Sequence, residues 1–211
     1  MQYIYLHGFA SSPQSHKAQY LLHRFREQGI NLQVLDLNQN DFTSLTLTRQ
    51  INQTVAGFAD DSTPITLIGS SFGGLTSVWL AEKYPQVQRL VLLAPAFNFV
   101  AYWRQKLGAE QIQQWQESGF LAVCHYREAE LVPLSYCFYE DIIQYEESLL
   151  QRNIPTLILH GEHDEIIPLQ ASVDYAKQHP DTKLISLNSD HSLRDQMAII
   201  WQETKIFCSI K

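Results

Sequence analysis

Short apolar runs alternate along the chain with longer stretches in which apolar residues recur every three or four positions. Short continuous runs are typical of strands buried on both faces, and the longer spacing is typical of amphipathic helices. The predicted strands are residues 3–6, 32–35, 65–68, 90–93, 156–160 and 184–187. The predicted helices are residues 18–28, 47–58, 73–84, 169–179 and 193–207. This alternation predicts an α/β protein with a mostly parallel sheet of six strands and helices on both of its faces.

Residues 97–152 interrupt this alternation between the fourth and fifth predicted strands. The stretch mixes helical spacing with irregular chain, so we interpret it as an insertion that forms a cap above the carboxyl end of the sheet. Because a length of 211 residues is typical of one domain, the expected organisation is a single domain, residues 1–211, that carries this cap.

Aromatic residues are concentrated in the insertion. Nearly half of the 24 aromatic residues (10 Phe, 10 Tyr and 4 Trp) lie there, and they are Phe97, Phe99, Tyr102, Trp103, Trp115, Phe120, Tyr126, Tyr136, Phe138, Tyr139 and Tyr145. Aromatic walls favour an acyl or aryl ligand, although such rings also pack a cap onto a core. Phe97 and Trp103 lie nearest the end of the fourth strand, so they are the predicted substrate-binding residues of the cap.

Composition and charge exclude several classes of protein. With 45% hydrophobic and 18% charged residues, the chain has the composition of a folded globular protein. A net charge of −7 with scattered Lys and Arg argues against a nucleic-acid partner. The longest apolar run has roughly eight residues, whereas a membrane-spanning helix needs about 20. The N-terminal residues also lack the pattern of a secretory signal, so we expect a cytoplasmic protein without a membrane span.

The three cysteines, Cys124, Cys137 and Cys208, are few, odd in number and without C-x-x-C spacing. Disulfide frameworks, zinc sites and thiol redox motifs need paired or closely spaced cysteines. We therefore predict buried free thiols, and no ligand set for a metal emerges from the sequence.

The segment Gly69-Ser70-Ser71-Phe72-Gly73 matches the pattern G-x-S-x-G between a predicted strand and a predicted helix. In that context the pattern forms a sharp turn that presents the serine at the carboxyl end of the sheet and the N-terminus of the helix. Small residues are required two positions before and after the serine. Ser71 meets this condition and Ser70 does not, because residue 68 is Ile68. Ser71 is therefore the predicted nucleophile.

A serine nucleophile needs a base and a carboxylate that orients it, and in this architecture both follow later strands in the order acid, then histidine. Asp164 follows the fifth predicted strand, and His191 follows the sixth. His191 would accept the proton of Ser71, and Asp164 would hold the imidazole in the required tautomer. The other acids near these two loops, kept as alternatives to Asp164, are Asp190, Glu162 and Glu165.

The same chemistry requires two N–H groups that stabilise an oxyanion. One is expected from Phe72, the residue after the nucleophile, and the other from the loop after the first strand. In that loop Gly8 allows the backbone to approach the substrate, and Phe9 would supply the second N–H group. His7 precedes them and is expected to brace the loop, with direct substrate contact as an alternative.

The opening signature of the YqiA/YcfP-like esterases, L-H-G-F-x-S-S-P-x-S-x-K, resembles the segment Leu6-His7-Gly8-Phe9-Ala10-Ser11-Ser12-Pro13-Gln14-Ser15-His16-Lys17. The family's G-S-S-L-G-G is similar to residues 69–74, with Phe72 in place of Leu. The resemblance continues through His160-Gly161 with Asp164 and through Asp190-His191. It covers most of the predicted sheet but not the insertion.

This resemblance implies an α/β-hydrolase fold with strand order 2-1-3-4-5-6 and carboxylesterase-type activity without a metal or cofactor. The expected function is hydrolysis of carboxylic esters or thioesters of small molecules through an acyl-enzyme on Ser71. Two alternatives remain. The same residues serve amide or C–C bond hydrolysis, and a non-catalytic member of the fold would be a binding protein.

Overall fold

The structure is a computed structural model that describes residues 1–125 and 130–211. Its strands are, in chain order, β1 (Gln2–Leu6), β2 (Leu32–Val34), β3 (Ile65–Ser70), β4 (Val87–Leu93), β5 (Phe120–His125), β6 (Glu130–Ser135), β7 (Thr156–Gly161) and β8 (Thr182–Leu187). Its α-helices are α1 (His16–Glu27), α2 (Leu47–Val55), α3 (Phe72–Lys83), α4 (Phe99–Ser118), α5 (Cys137–Ile142), α6 (Leu169–Gln178) and α7 (Met197–Phe207).

The main sheet has six strands in the order β2-β1-β3-β4-β7-β8, and all neighbouring strands are parallel. The predicted order is confirmed, because β5 and β6 of the insertion only change the numbers of the last two strands. Each predicted strand is present, and β4 begins at Val87, three residues earlier than predicted. Since the strands are parallel, their carboxyl ends meet along one edge of the sheet.

Side chains of each strand alternate between two hydrophobic cores on opposite faces of the sheet. In β1, Ile4 and Leu6 belong to the core shared with α2 and α3, whereas Tyr3 and Tyr5 belong to the core shared with α1 and α7. The sheet is thus covered by helices on both faces, as predicted. This two-sided burial explains why its strands are nearly continuous apolar runs in the sequence.

The insertion contains more regular structure than the predicted mixture of helix and irregular chain. Its first part is α4, which is interrupted at Gly108 (φ 72°, ψ 166°). It continues as an antiparallel hairpin of β5 and β6, and then as α5. Trp115 of α4 is buried, and its indole N–H donates to the carbonyl of Leu134 at 3.0 Å, which fastens the helix to the hairpin. Tyr126 lies outside the described residues.

The prediction of three buried thiols is wrong for two of them. Cys208 is buried, whereas Cys124 and Cys137 are exposed, and all three are free. Cys124 is exposed because it lies on the outward-facing side of β5, where it pairs with the exposed Leu131 of β6. Across residues 1–125 and 130–211, no helix combines the length and apolar character needed to cross a membrane.

Candidate active site

Ser71 occupies a strained turn between β3 and α3. Its backbone has φ 52° and ψ −116°, a conformation that L-residues rarely adopt. Glycine is required at both positions two residues from Ser71. A Cβ atom at Gly69 would collide with the backbone of Gly73, and one at Gly73 would collide with the carbonyl oxygens of Leu6 and His7. The Ser71 N–H group donates to Leu93 at 2.9 Å, so β4 helps to fix the turn.

Ser71, His191 and Asp164 form one hydrogen-bonded chain at the carboxyl edge of the sheet. The Oγ atom of Ser71 lies 3.0 Å from Nε2 of His191, and Nδ1 of His191 lies 2.6 Å from Oδ2 of Asp164. The three residues follow β3, β8 and β7, as the sequence predicts. The carboxylate is fully buried, whereas the imidazole is 21% exposed, so the chain runs from the protein interior towards solvent.

The pKa of Asp164 is held below its usual range. Burial alone would raise the pKa, but hydrogen bonds from His160 and His191, the charge of His191 and the N–H group of Ile167 outweigh that effect. The Ile166 and Ile167 N–H groups donate to Oδ1 at 2.9 and 2.8 Å. The carboxylate is therefore ionised and fixed in orientation, as an acceptor for an imidazole N–H group must be.

The alternative acids have other partners. Asp190 accepts hydrogen bonds from the backbone and hydroxyl groups of Ser192 at 2.8 and 2.6 Å and so caps its own turn. Glu162 accepts from Ser186 at 2.9 Å. Glu165 is exposed. Of the four candidate acids, Asp164 is thus the one that contacts the imidazole of His191 among the described residues.

The loop after β1 lies directly against Ser71. A Cβ atom on Gly8 would be 3.3 Å from the Cβ atom of Ser71, and the rings of Phe9 and Phe72 are 6.2 Å apart. Phe72 is the first residue of α3, so its N–H group has no acceptor within the helix. Neither Phe9 nor Phe72 donates a backbone hydrogen bond in the part of the chain that the structure describes. Both residues thus lie near Ser71 without a backbone acceptor among the described residues.

Comparison with known proteins identifies the family. The model of the uncharacterised protein family UPF0227 matches residues 2–208. The chain belongs to this family. UPF0227 is the family of the YqiA/YcfP-like proteins, so the resemblance seen in the sequence is confirmed. A search of curated protein sequences gives no match.

Solved structures show that this UPF0227 member has the α/β-hydrolase fold. Alpha/beta hydrolase domain-containing protein 10 from mouse is 20% identical, with a TM-score of 0.81 over 99% of this chain and 89% of its own. Est1E from Butyrivibrio proteoclasticus, in a structure with bound ferulic acid, is 21% identical, with a TM-score of 0.74 over 97% and 86%. A monoacylglycerol lipase from Paleococcus ferrophilus is 16% identical, with a TM-score of 0.70 over 98% and 94%.

The two aromatic residues predicted to bind substrate lie in different surroundings in the UPF0227 chain. Trp103 of α4 is partly exposed, and its ring centroid lies 5.4 Å from that of Phe9. Phe97 is buried and stacks on Tyr175 of α6, with ring centroids 4.3 Å apart and an interplanar angle of 9°. Trp103 thus lies beside the loop after β1, whereas the ring of Phe97 packs against α6.

His7 is buried beneath the loop after β1. The Leu37 N–H group donates to its Nε2 atom at 3.1 Å, so Nε2 carries no proton. Nδ1 is then the protonated nitrogen, and it lies 3.0 Å from the Gly8 carbonyl oxygen. These contacts fit the predicted bracing role, because they join the loops that follow β1 and β2.

Two polar residues beside Ser71, His191 and Asp164 were not assigned a role from the sequence. His160, the fifth residue of β7, is fully buried and lies 3.1 Å from Asp164. The Lys17 ammonium group donates to the carbonyl of Ser192, next to His191, at 2.9 Å. The sequence signal for both residues was their place in the family motifs, and for His160 it was also a polar side chain within an apolar strand.

Within the described residues, no group of three or more His, Cys, Asp and Glu side chains is arranged to hold a metal ion.

Proposed function

We propose that the protein is a serine hydrolase that cleaves carboxylic esters or thioesters through an acyl-enzyme. The observation that carries this proposal is the continuous chain of hydrogen bonds from Ser71 through His191 to the buried Asp164. A nucleophile within reach of a base, and a base oriented by an ionised carboxylate, are the elements that activate a serine hydroxyl.

In this mechanism the Oγ atom of Ser71 attacks the substrate carbonyl carbon while Nε2 of His191 accepts the hydroxyl proton. The negative charge that forms on the carbonyl oxygen is stabilised by the N–H groups of Phe9 and Phe72 and by the N-terminus of α3. The imidazolium then protonates the leaving alcohol or thiol, which departs and leaves an acyl group on Ser71. Water attacks this ester with His191 again as the base, and the carboxylic acid is released.

Residues 97–152 are proposed to form a cap on a single domain, 1–211, and to select the acyl or alcohol part of the substrate. The part of α4 nearest the active site presents Trp103 beside Phe9. Apolar walls next to the nucleophile favour an apolar acyl or aryl group. The likeness to Est1E with ferulic acid and to a monoacylglycerol lipase supports testing both aryl and long-chain acyl esters.

The test is hydrolysis of p-nitrophenyl acetate, followed by a panel of aryl and acyl esters and acyl-CoA thioesters of increasing chain length. Ser71→Ala should reduce turnover by about 10⁴–10⁶-fold. Ser70→Ala is the matched control, because it removes a hydroxyl from the adjacent position and should retain activity within about threefold. Wild-type hydrolysis by the Ser71→Ala variant would overturn the proposal. A wild-type protein that cleaves none of these substrates would support a non-catalytic role instead.

A further inference from the structure

His160 is a second histidine in contact with the carboxylate of Asp164. It is fully buried at the end of β7. Its Nε2 atom lies 3.1 Å from Oδ2 of Asp164 and 2.9 Å from the carbonyl oxygen of Ile167. Its Nδ1 atom lies 2.8 Å from the hydroxyl oxygen of Ser172, a fully buried residue of α6. The catalytic mechanism above does not use this residue.

The partners of His160 fix the positions of its protons. A carboxylate oxygen and a carbonyl oxygen can only accept, so the Nε2 atom between them carries a proton. The hydroxyl of Ser172 can donate to Nδ1, which completes a neutral imidazole in one tautomer. Ser172 then donates to Nδ1, and the proton on Nε2 lies between the carbonyl oxygen of Ile167 and the carboxylate of Asp164.

We propose that His160 is a positioning residue for the acid of the triad, and that Ser172 holds the imidazole of His160 in place through its Nδ1 atom. The inference rests on the proposed function, since it assigns His160 a role through Asp164 and His191. It extends the hydrogen-bonded chain at its buried end, so that the chain begins at Ser172 in α6 and ends at Ser71.

The geometry shows what His160 adds. Oδ1 of Asp164 accepts two backbone N–H groups. Among the described residues, Oδ2 contacts His191 on one side and His160 on the protein side. His160 also binds the carbonyl of Ile167, whose N–H group donates to Oδ1. One imidazole therefore fixes both the carboxylate and the loop that carries it. Displacement of a catalytic group by about 1 Å costs on the order of 100-fold in rate.

Two substitutions separate the donor function from the volume of the side chain. His160→Leu fills similar space without a donor, and it should lower kcat by about 10–100-fold with KM unchanged. His160→Gln places an amide N–H group near the position of Nε2 and should restore kcat to within about fivefold of wild type. A loss that Gln does not rescue, or a change in KM alone, would contradict the proposal.

Ser172→Ala removes the hydrogen bond to Nδ1 of His160 and does not alter the volume of the histidine. It should lower kcat by about 3–10-fold in the wild-type background and cause no further loss in the His160→Leu background, because the two residues act through one path. Additive losses would show that Ser172 acts independently of His160. If His160→Leu fails to fold, as judged by thermal unfolding, His160→Gln and Ser172→Ala still decide the question.

The rate at which a fluorophosphonate probe labels Ser71 distinguishes a failure of the positioning role of His160 from a failure of the proposed function. An unlabelled wild-type protein would refute the proposed function. A labelled wild-type protein whose His160→Leu variant reacts at the same rate would refute the positioning role and leave the proposed function intact. The expected result is labelling of the wild type and labelling slowed by about 10–100-fold in His160→Leu.

Discussion

Glu147 joins the two ends of the insertion through its partly exposed carboxylate, and its replacement by Gln should change how the stability of the protein depends on pH. Its Oε1 atom accepts the N–H group of Asn98 at 2.7 Å, just before α4 begins. Burial raises the pKa of Glu147 to about 7, against the opposing effect of the N–H groups of Asn98 and Phe99. Glu147→Gln keeps the oxygen that accepts this hydrogen bond and removes the titration.

The magnitude follows from the displacement of the pKa from 4.5 to about 7. Between these values the folded state binds more protons at Glu147 than the unfolded state, so stability decreases as the pH rises through this window. At about 1.4 kcal/mol for each pH unit, the carboxylate costs up to about 3 kcal/mol above pH 7 relative to pH 4.5. Glu147→Gln should therefore be more stable than wild type by about 1–3 kcal/mol at pH 8 and nearly equal to it at pH 4.5.

The assay is urea unfolding at pH 4.5, 6 and 8, with Glu146→Gln, a change at the exposed neighbouring carboxylate, as the matched control. The difference in unfolding free energy between Glu147→Gln and wild type should increase with pH, and that of Glu146→Gln should not. The same difference at pH 4.5 and pH 8 would refute the reasoning, because it would show that Glu147 does not change its protonation on folding in this range.

Two further predictions concern the loop that carries His191. A Cβ atom on Gly161 would lie 2.5 Å from the carbonyl oxygens of Ser189 and Asp190, so Gly161→Ala should displace this loop and lower kcat at least 10-fold, with the circular dichroism of the folded protein retained. Burial lowers the pKa of Lys17 to about 8, with Asp164 opposing it. Because the folded state then binds fewer protons than the unfolded state between pH 8 and 10.5, wild type should gain stability with pH over this window in urea unfolding, and Lys17→Met should not.

The sequence was sufficient to predict that Ser71, Asp164 and His191 lie close together, because each follows a strand of a parallel sheet. Ser71, Asp164 and His191 each follow a strand, and parallel strands end at a common edge. Their convergence therefore follows from three local patterns and one topological rule. The roles assigned to them remain predictions, and the experiments above test them.

The insertion was harder to predict because its strands lack the usual signals. Exposed and inward-facing positions of β5 are both apolar, so the alternation typical of a half-buried strand is missing. Pro133 lies within β6, and proline in a sequence normally argues against a strand. It is tolerated because β6 is an edge strand that, in the described part of the chain, pairs with β5 alone. Gly108 similarly interrupts the spacing of α4.

The contact between His160 and Asp164 could not be predicted for a different reason. His160 belongs to a strand whose neighbours are almost all buried and apolar, so its sequence position predicts only a core residue. Its partner is four residues away, and the contact depends on the path of the loop between β7 and α6. Such a path is determined by tertiary packing and backbone hydrogen bonds, which a residue pattern does not specify.

The most direct test of the central claim is the mass of the protein after reaction with a fluorophosphonate, followed by peptide mapping. The account predicts one adduct, located on Ser71, that is absent from Ser71→Ala and present in Ser70→Ala. An adduct on a different residue, or no adduct on the folded wild-type protein, would contradict the claim that Ser71, His191 and Asp164 form an active catalytic site.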